Sequence, residues 1–564
     1  MAGTKSFFTG ALLVSFVCVL TYGLDAQVTY DRQLRAASEP QNWLTYSGGY
    51  FSQRHSLLRQ IDTTNVKNLE QKWIYQSTVI GNWQSTPLVV DGVMYVTQRP
   101  NDVVALDAKT GRVFWVYRHN TAPDQKACCG SNNRGVAILG DTLYMGTLDA
   151  RLVAINAKTG RPRWIVQVAD YKAAYSTTMA PLVVKDNVLL GVGGGEYGIR
   201  GFIAAFNAQT GKEVWRFYTI PGPGEPGHET WEPCPPNPAT YCDPEAWKHG
   251  GGSIWLTPSY DAALNLTYWG VGNAVPDWNP AQRPGDNLYT NSIVALDADT
   301  GKLRWHFQFT PRDAYDYDSV QIPVLADINW NGAPAKVVLW ANRNGYFYVL
   351  ERETGKFLLG KPFVKVNWAS GLDERGRPIQ TPQPPGMPTW PGNQGGTNWY
   401  PPSYSPRTGL IYFSAWEDYA TIFGGVPVRY QEGLNFGGGS NRSFGPVPNA
   451  PAVPVLRRGP INNWTEAVAN GAVVALDPLT GAPKWKFDMT DVSDSGILTT
   501  ASDVLFTGGR EGYFQALDAR NGSLLWKTSL GGQIVNGPMT YEVDGKQYVA
   551  TIAGQVLVAF ALRD

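Results

Sequence analysis

One pattern of apolar and polar positions recurs along the chain. Alternating apolar residues end in Ala-x-(Asp/Asn), a (Thr/Asn)-Gly pair follows, and a Trp stands four positions after the Gly. VVALDAKTGRVFW ends at Trp115, LVAINAKTGRPRW at Trp164, IAAFNAQTGKEVW at Trp215 and IVALDADTGKLRW at Trp305. VVALDPLTGAPKW ends at Trp485 and FQALDARNGSLLW at Trp526. FYVLERETGKFLL, ending at Leu359, is a degenerate copy, and NVKNLEQKW, ending at Trp73, is an incomplete one. Period-two alternation predicts a strand. The (Thr/Asn)-Gly pair predicts a tight hairpin, its Gly taking positive φ. A second strand then delivers the Trp, and the small Ala and Gly leave room for a Trp from a neighbouring unit to lie flat against backbone.

Successive Trp spacings of 42, 49 and 51 residues from Trp73 to Trp215, and 41 from Trp485 to Trp526, each hold four short strands. That is the period of a β-propeller blade. The expectation is an all-β, eight-bladed β-propeller with tryptophan-docking repeats over residues 27–564, seven blades being the alternative. Insertions are expected at about 220–250 and 366–465. The second is expected to include one blade without the Trp signature, because SPRTGLIYFSA (405–415) keeps a turn and a strand. The C-terminal VLVAFAL is expected to close the ring against the N-terminal strands.

Composition agrees with many turns and few long helices: 61 Gly, 40 Pro and 21 Trp in 564 residues, with 17% charged. Lys+Arg and Asp+Glu are both 47. This balance removes the basic footprint of a nucleic-acid binder and the high net charge of a disordered chain.

Residues 1–26 read as a signal peptide. Lys5 precedes an uncharged stretch, residues 7–23, and Ala26 supplies a small residue before Gln27. An uncleaved membrane anchor is the alternative, since the stretch is at the lower limit for a span. With cleavage, the protein is periplasmic without stable membrane insertion. Cys128, Cys129, Cys234 and Cys242 then remain. Export favours oxidation, and Cys234 and Cys242, flanking a Pro-rich loop, are expected to pair. A bridge between the neighbours Cys128 and Cys129 would be strained, so cross-pairs or free thiols stay open at this point. There is no CxxCH, so no covalently attached haem is expected. The five His residues show no ligand spacing and no zinc site is expected.

Several acids and amides fall outside the repeat register. GVGGGEYG places Gly194 and Gly195 before Glu196. No helix pattern follows, which argues against a phosphate loop. The glycines would let a flat ligand approach backbone, and Glu196 would project a hard oxygen. Asn273, in YWGVGNAVPDW, offers an amide oxygen suited to a hard cation, or serves an ordinary Asx turn. Asp316 and Asp318, in TPRDAYDYDSV, would share one face of an extended segment and converge on a cation.

With these motifs the repeats resemble the pyrroloquinoline-quinone-dependent methanol/ethanol dehydrogenase family, over nearly the whole mature chain. The resemblance implies Asp316 as catalytic base and Glu196, Asn273, Asp316 and Asp318 as ligands of a lanthanide or calcium ion. Asp318 matches the additional Asp of lanthanide-using members, and a trivalent ion needs more compensating charge. The resemblance also implies a Cys128–Cys129 disulfide lying on one face of the quinone and Trp255 on the other. Gln84, Arg134, Thr178, Gly194, Gly195, Ser253, Arg343 and Asn398 would contact the cofactor. Arg343, followed by Asn344, would stabilise charge on a quinone oxygen. Two positions depart from the pattern. Gln84 stands where methanol dehydrogenases have Glu, and Asp494 where a Trp lines the pocket.

The implied reaction is oxidation of a small primary alcohol to an aldehyde, with electrons passed to a soluble cytochrome c. A homodimer is compatible with this reading, and no nucleic acid is involved. A quinone enzyme for sugars, polyols or larger alcohols, and a non-catalytic envelope scaffold, are the competing readings.

Overall fold

The computed structural model describes residues 3, 28–81, 83–384, 386–444 and 469–563. The expected signal segment, apart from Gly3, and residues 445–468 of the second insertion lie outside them. Among the described residues there is one short α-helix, Tyr30–Leu34, and no helix is long and apolar enough to cross a membrane.

Eight four-stranded antiparallel sheets follow one another as blades, one of them extended by a short parallel strand, His55–Ser56. Blade 1 (Leu88–Val90, Val93–Gln98, Asp102–Asp107, Val113–Tyr117) shows the common plan. Its first strand is buried throughout and its fourth is largely open to solvent. Blade 8 joins the two ends of the chain. Leu69–Gln76 pairs antiparallel with Val556–Leu562, completing a sheet whose other strands are Met539–Val543 and Lys546–Ala553.

The repeat Trps dock as the small residues of the motif require. Trp73 Nε1 donates to the Ala108 carbonyl, Trp115 to Ala157, Trp215 to Ala298 and Trp485 to Ala519, at 3.0–3.1 Å. Each ring lies against the turn Gly of the next blade. A Cβ at Gly301, whose φ is +67°, would sit 2.4 Å from Trp215 Cε3. In the degenerate copy Lys361 and Leu359 together take the Trp's place against Gly481.

Among its described residues the 366–465 region contains no separate blade. Ser403–Ser405 and Leu410–Glu417 are the first two strands of blade 6, whose third and fourth strands, Asn470–Leu476 and Pro483–Asp488, end in the Trp485 repeat. The inserted chain is therefore divided. One part precedes the blade, and the other sits between its second and third strands, carrying the hairpin Ala420–Gly425 with Gly439–Phe444.

Antiparallel alternation sorts the connections by end. Turns between strands one and two, and between three and four, emerge at one end of a blade. Turns between two and three, and the links to the next blade, emerge at the other. The (Thr/Asn)-Gly turns belong to the first set. Both insertions belong to the second, as does every candidate site residue.

Candidate functional site

Links between blades carry Gln84, Cys128, Cys129, Arg134, Thr178, Ser253, Trp255, Asp316, Asp318, Asn398 and Asp494; turns between second and third strands carry Glu196, Asn273 and Arg343. Residues remote in sequence thus share one end of the wheel because their connections have the same parity.

Cys128 is bonded to Cys129, and Cys234 to Cys242. Cys129 has φ +66°, left-handed backbone that a non-glycine residue adopts at a cost of about 1 kcal/mol. Its Sγ lies 4.0 Å from Glu196 Oε1. The buried Arg134 donates from Nη1 to Thr178 Oγ1 (3.0 Å) and to the Trp255 carbonyl (3.3 Å). Its guanidinium stands 5.0 Å from the Trp255 ring centroid and 5.2 Å from that of Trp399. Arg134 Nε and Gln84 Oε1 are buried without a hydrogen-bond partner.

Glu196 sits in a short 3-10 turn, Gly195–Tyr197. The need for glycine before it arises inside the protein. Gly194 has φ +116°, and a Cβ there would lie 2.2 Å from the Ala174 carbonyl oxygen. At Gly195 a Cβ would meet Ser253 Oγ at 3.2 Å.

Asp316 and Asp318 do converge, but not on an extended strand. Asp316 has φ +60°. The Asp313 carboxylate accepts from the Tyr315 and Tyr317 backbone N–H groups and so holds this turn. Arg343 then forks between the two acids, donating from Nη2 to Asp316 Oδ2 (2.9 Å) and from Nη1 to Asp318 Oδ2 (2.8 Å). Arg343 is anchored from behind, its Nε donating to the Asn393 carbonyl at 2.8 Å. The other oxygen of Asp318 accepts from the Asn273 backbone N–H at 2.8 Å.

Burial pushes the Glu196 carboxyl up to about 7, with the nearby Asp318 adding to it and Arg343 opposing it. Burial also lifts Asp316 and Asp277 well above the usual carboxylate range and raises Asp318. Arg343 opposes the rise at Asp316 and Asp318, whereas Glu196 and Asp318 reinforce that at Asp277. Several carboxylates thus share a water-poor site around one forked arginine, an arrangement that a multivalent cation would relieve.

A family model for the β-propeller domain of glucose/ethanol/alcohol dehydrogenases matches residues 43–380. A quinohemoprotein alcohol dehydrogenase, ADH IIB of Pseudomonas putida, is 39% identical over 91% of this chain and 73% of its own length. The chain belongs to the PQQ-dependent quinoprotein alcohol dehydrogenase family. The quinoprotein alcohol dehydrogenase PedH of a Pseudomonas putida strain is 35% identical over 98% of this chain and 92% of its own. A solved structure described as a europium-containing methanol dehydrogenase superposes with a TM-score of 0.84 at 32% identity, over 94% of this chain and all of the other. Residues 469–564 also match a model for the outer membrane protein assembly factor BamB, in the stretch where the Trp485 and Trp526 repeats lie.

Within this quinoprotein fold the donors fit the family's cofactor and a hard cation. The unpartnered Arg134 Nε–H suits a planar group bearing carboxylates, and the unpartnered Gln84 Oε1 suits a ring N–H donor on such a group. Carboxylates with an amide oxygen suit calcium or a lanthanide rather than a soft metal. The expected contact Asn398, and Asn344 beside Arg343, have bonds of their own. Asn398 donates to the Gln394 carbonyl and accepts from the Trp399 N–H, so its amide braces its own loop. Asn344 donates to the Phe309 carbonyl, Thr310 Oγ1 and Tyr348 OH, and so fixes the strand end behind Arg343.

Sequence reasoning missed Asp277, buried and bonded to Asn273, although it stands four residues on in the same loop. It also missed the Asn393 carbonyl behind Arg343, which leaves no sequence signal because any residue supplies a carbonyl. Asp494 forms a bidentate pair with the buried Arg510, whose guanidinium lies 4.8 Å from the Trp416 ring centroid. No side-chain pattern in the sequence links these two.

Proposed function

We propose that this protein oxidises primary alcohols to aldehydes in the periplasm, using pyrroloquinoline quinone and a lanthanide or calcium ion, and delivers the electrons to a soluble cytochrome c. The observation that carries the reading is the Arg343 fork between Asp316 and Asp318, with Asn273 bonded to Asp318 and with Glu196, beside the Cys128–Cys129 disulfide, near enough to feel the charges of Asp318 and Arg343. Export rests on the charge and apolar pattern of residues 1–26.

The cofactor supplies two-electron acceptor chemistry when bound, and the cation makes it more electrophilic. Glu196, the Asn273 amide oxygen, Asp316 and Asp318 would hold the cation. Asp316 would take the hydroxyl proton of the alcohol, and the Arg343 guanidinium opposes the effect of burial and favours the ionised form that a base requires. Arg343, held at Asn393, keeps the Asp316 carboxylate aimed and offers its positive charge to oxygen that gains electron density. Arg134, braced on Thr178, is placed to meet a cofactor carboxylate. Trp255 and the disulfide ring would supply flat walls.

Asp494 supports a second reading within the same chemistry. A Trp in its place would be an apolar wall, whereas the Asp494–Arg510 pair is polar. Larger or polyhydric alcohols would suit such a pocket.

The test is reconstitution of apoprotein with the quinone and either calcium or a light lanthanide, following alcohol-dependent dye reduction across a panel of alcohols, polyols and sugars. Turnover of primary alcohols is expected. Failure of both ions to support quinone retention or turnover overturns the reading, and a preference for polyols or sugars favours the second.

A further inference from the structure

We propose that Asp277 is a positioning residue for the cation site, holding the Asn273 side-chain amide so that its oxygen, and not its nitrogen, faces the ion. The proposal rests on the reading above of Asn273 as a cation ligand. An asparagine amide has two ends of nearly equal size, and only the oxygen can bind a hard cation. Nothing in the covalent structure of Asn273 favours one end, so the surroundings must decide.

At this site they do. Asn273 Nδ2 donates to Asp277 Oδ1 at 2.7 Å and to the Ala274 carbonyl at 3.2 Å. Both amide hydrogens are committed, and the oxygen remains for ligation. The backbone N–H of the same residue donates to Asp318 Oδ1, which ties the amide to the opposite acid of the site. A flipped amide would lose both donated bonds and bring its oxygen to within hydrogen-bond distance of two acceptor oxygens, which repel it. Asp277 accepts this bond from a buried position, in a loop that Pro276 stiffens. Gly437, from the insertion in blade 6, closes over it so tightly that a Cβ there would lie 3.1 Å from Asp277 Oδ2. The insertion and the Asn273 loop therefore build one clamp on the amide.

A carboxylate this near the ion has two other ways to matter, as a ligand in its own right or as an extra negative charge. The geometry separates them, since the positioning role acts through Asn273 and needs an acceptor oxygen rather than a charge. The experiment uses the full chain reconstituted with the quinone and europium(III). Luminescence decay in H2O and D2O counts the waters on the ion, and titration gives its affinity. Asn273→Ala should add about one water. Asp277→Ala should move the count in the same direction and weaken europium binding by about 10–100-fold. Asp277→Asn, whose side-chain oxygen can accept the same bond, should stay close to the parent. The double variant Asn273→Ala/Asp277→Ala should be no worse than Asn273→Ala alone.

An unchanged water count in Asp277→Ala overturns the proposal. So does an additive double variant, which makes Asp277 act on the ion directly, or an Asp277→Asn as impaired as Asp277→Ala, which makes charge the cause. If Asp277→Ala does not fold, Asp277→Asn decides alone: parent-like hydration supports the amide clamp and an added water refutes it. A parent protein that holds no europium fails the cation reading itself, a result distinct from all of these.

Discussion

The acid stability of the metal-free protein offers a quantitative test of the site's electrostatics. Burial takes Glu196 from an ordinary 4.5 to about 7 in the folded chain. Below pH 4.5 both folded and unfolded states hold the proton. Between 4.5 and 7 the unfolded chain releases it and the folded chain keeps it. The folded state then binds more protons, so stability falls as pH rises and the loss is complete above about pH 8. The difference amounts to about 3 kcal/mol, an upper bound because part of the Glu196 surface is open to solvent. Unfolding entropy of about 2.1 cal/mol/K per residue gives roughly 1 kcal/mol/K for this chain, so the melting temperature should fall by about 3 °C between pH 4.5 and 8 from this group alone. Asp316, Asp318 and Asp277 add in the same direction. The assay is calorimetry of chelator-treated protein across this range beside Glu196→Gln, which cannot lose a proton. The gap between the two melting curves should close progressively towards acid. Addition of a light lanthanide should stabilise the parent more at pH 8 than at pH 5, because the ion displaces protons at low pH. Parallel melting curves for parent and variant across the whole range would refute the reasoning.

Other perturbations follow from the same geometry. Asp318→Ala should reduce lanthanide-supported dye reduction more than calcium-supported reduction, and equal losses with the two ions would remove the charge-matching role of Asp318. Arg343→Gln leaves the buried Asp316 and Asp318 without their cation and should cost the metal-free protein about 3 kcal/mol, read as a fall in melting temperature that added lanthanide largely reverses. Gly301→Ala forces a Cβ into left-handed backbone 2.4 Å from Trp215 and should lower stability by about 2–4 kcal/mol through strain and overpacking; because that turn lies at the end of the wheel away from the site, alcohol turnover at low temperature should hold.

The sequence by itself determined the architecture, because the repeat states its own packing rule. Ala, Gly and Trp recur at fixed offsets, a docked indole needs a small partner at a fixed place, and eight copies therefore imply eight blades. It also exposed the acids that stand outside the repeat. It did not reveal that residues 403–417 belong to the blade ending at Trp485, since a long insertion separates strands that pair. Nor did it show that Asp316 reaches Asp318 through left-handed backbone and the Arg343 fork rather than along a strand. Only the tertiary structure decided which acids meet, that Asp277 grips Asn273, and that Asp494 is answered by Arg510. The physical reason is the parity of the connections. Side chains from seven links and three blade turns share one end of the ring only when it closes, and burial and hydrogen bonding, which set their chemistry, exist only then.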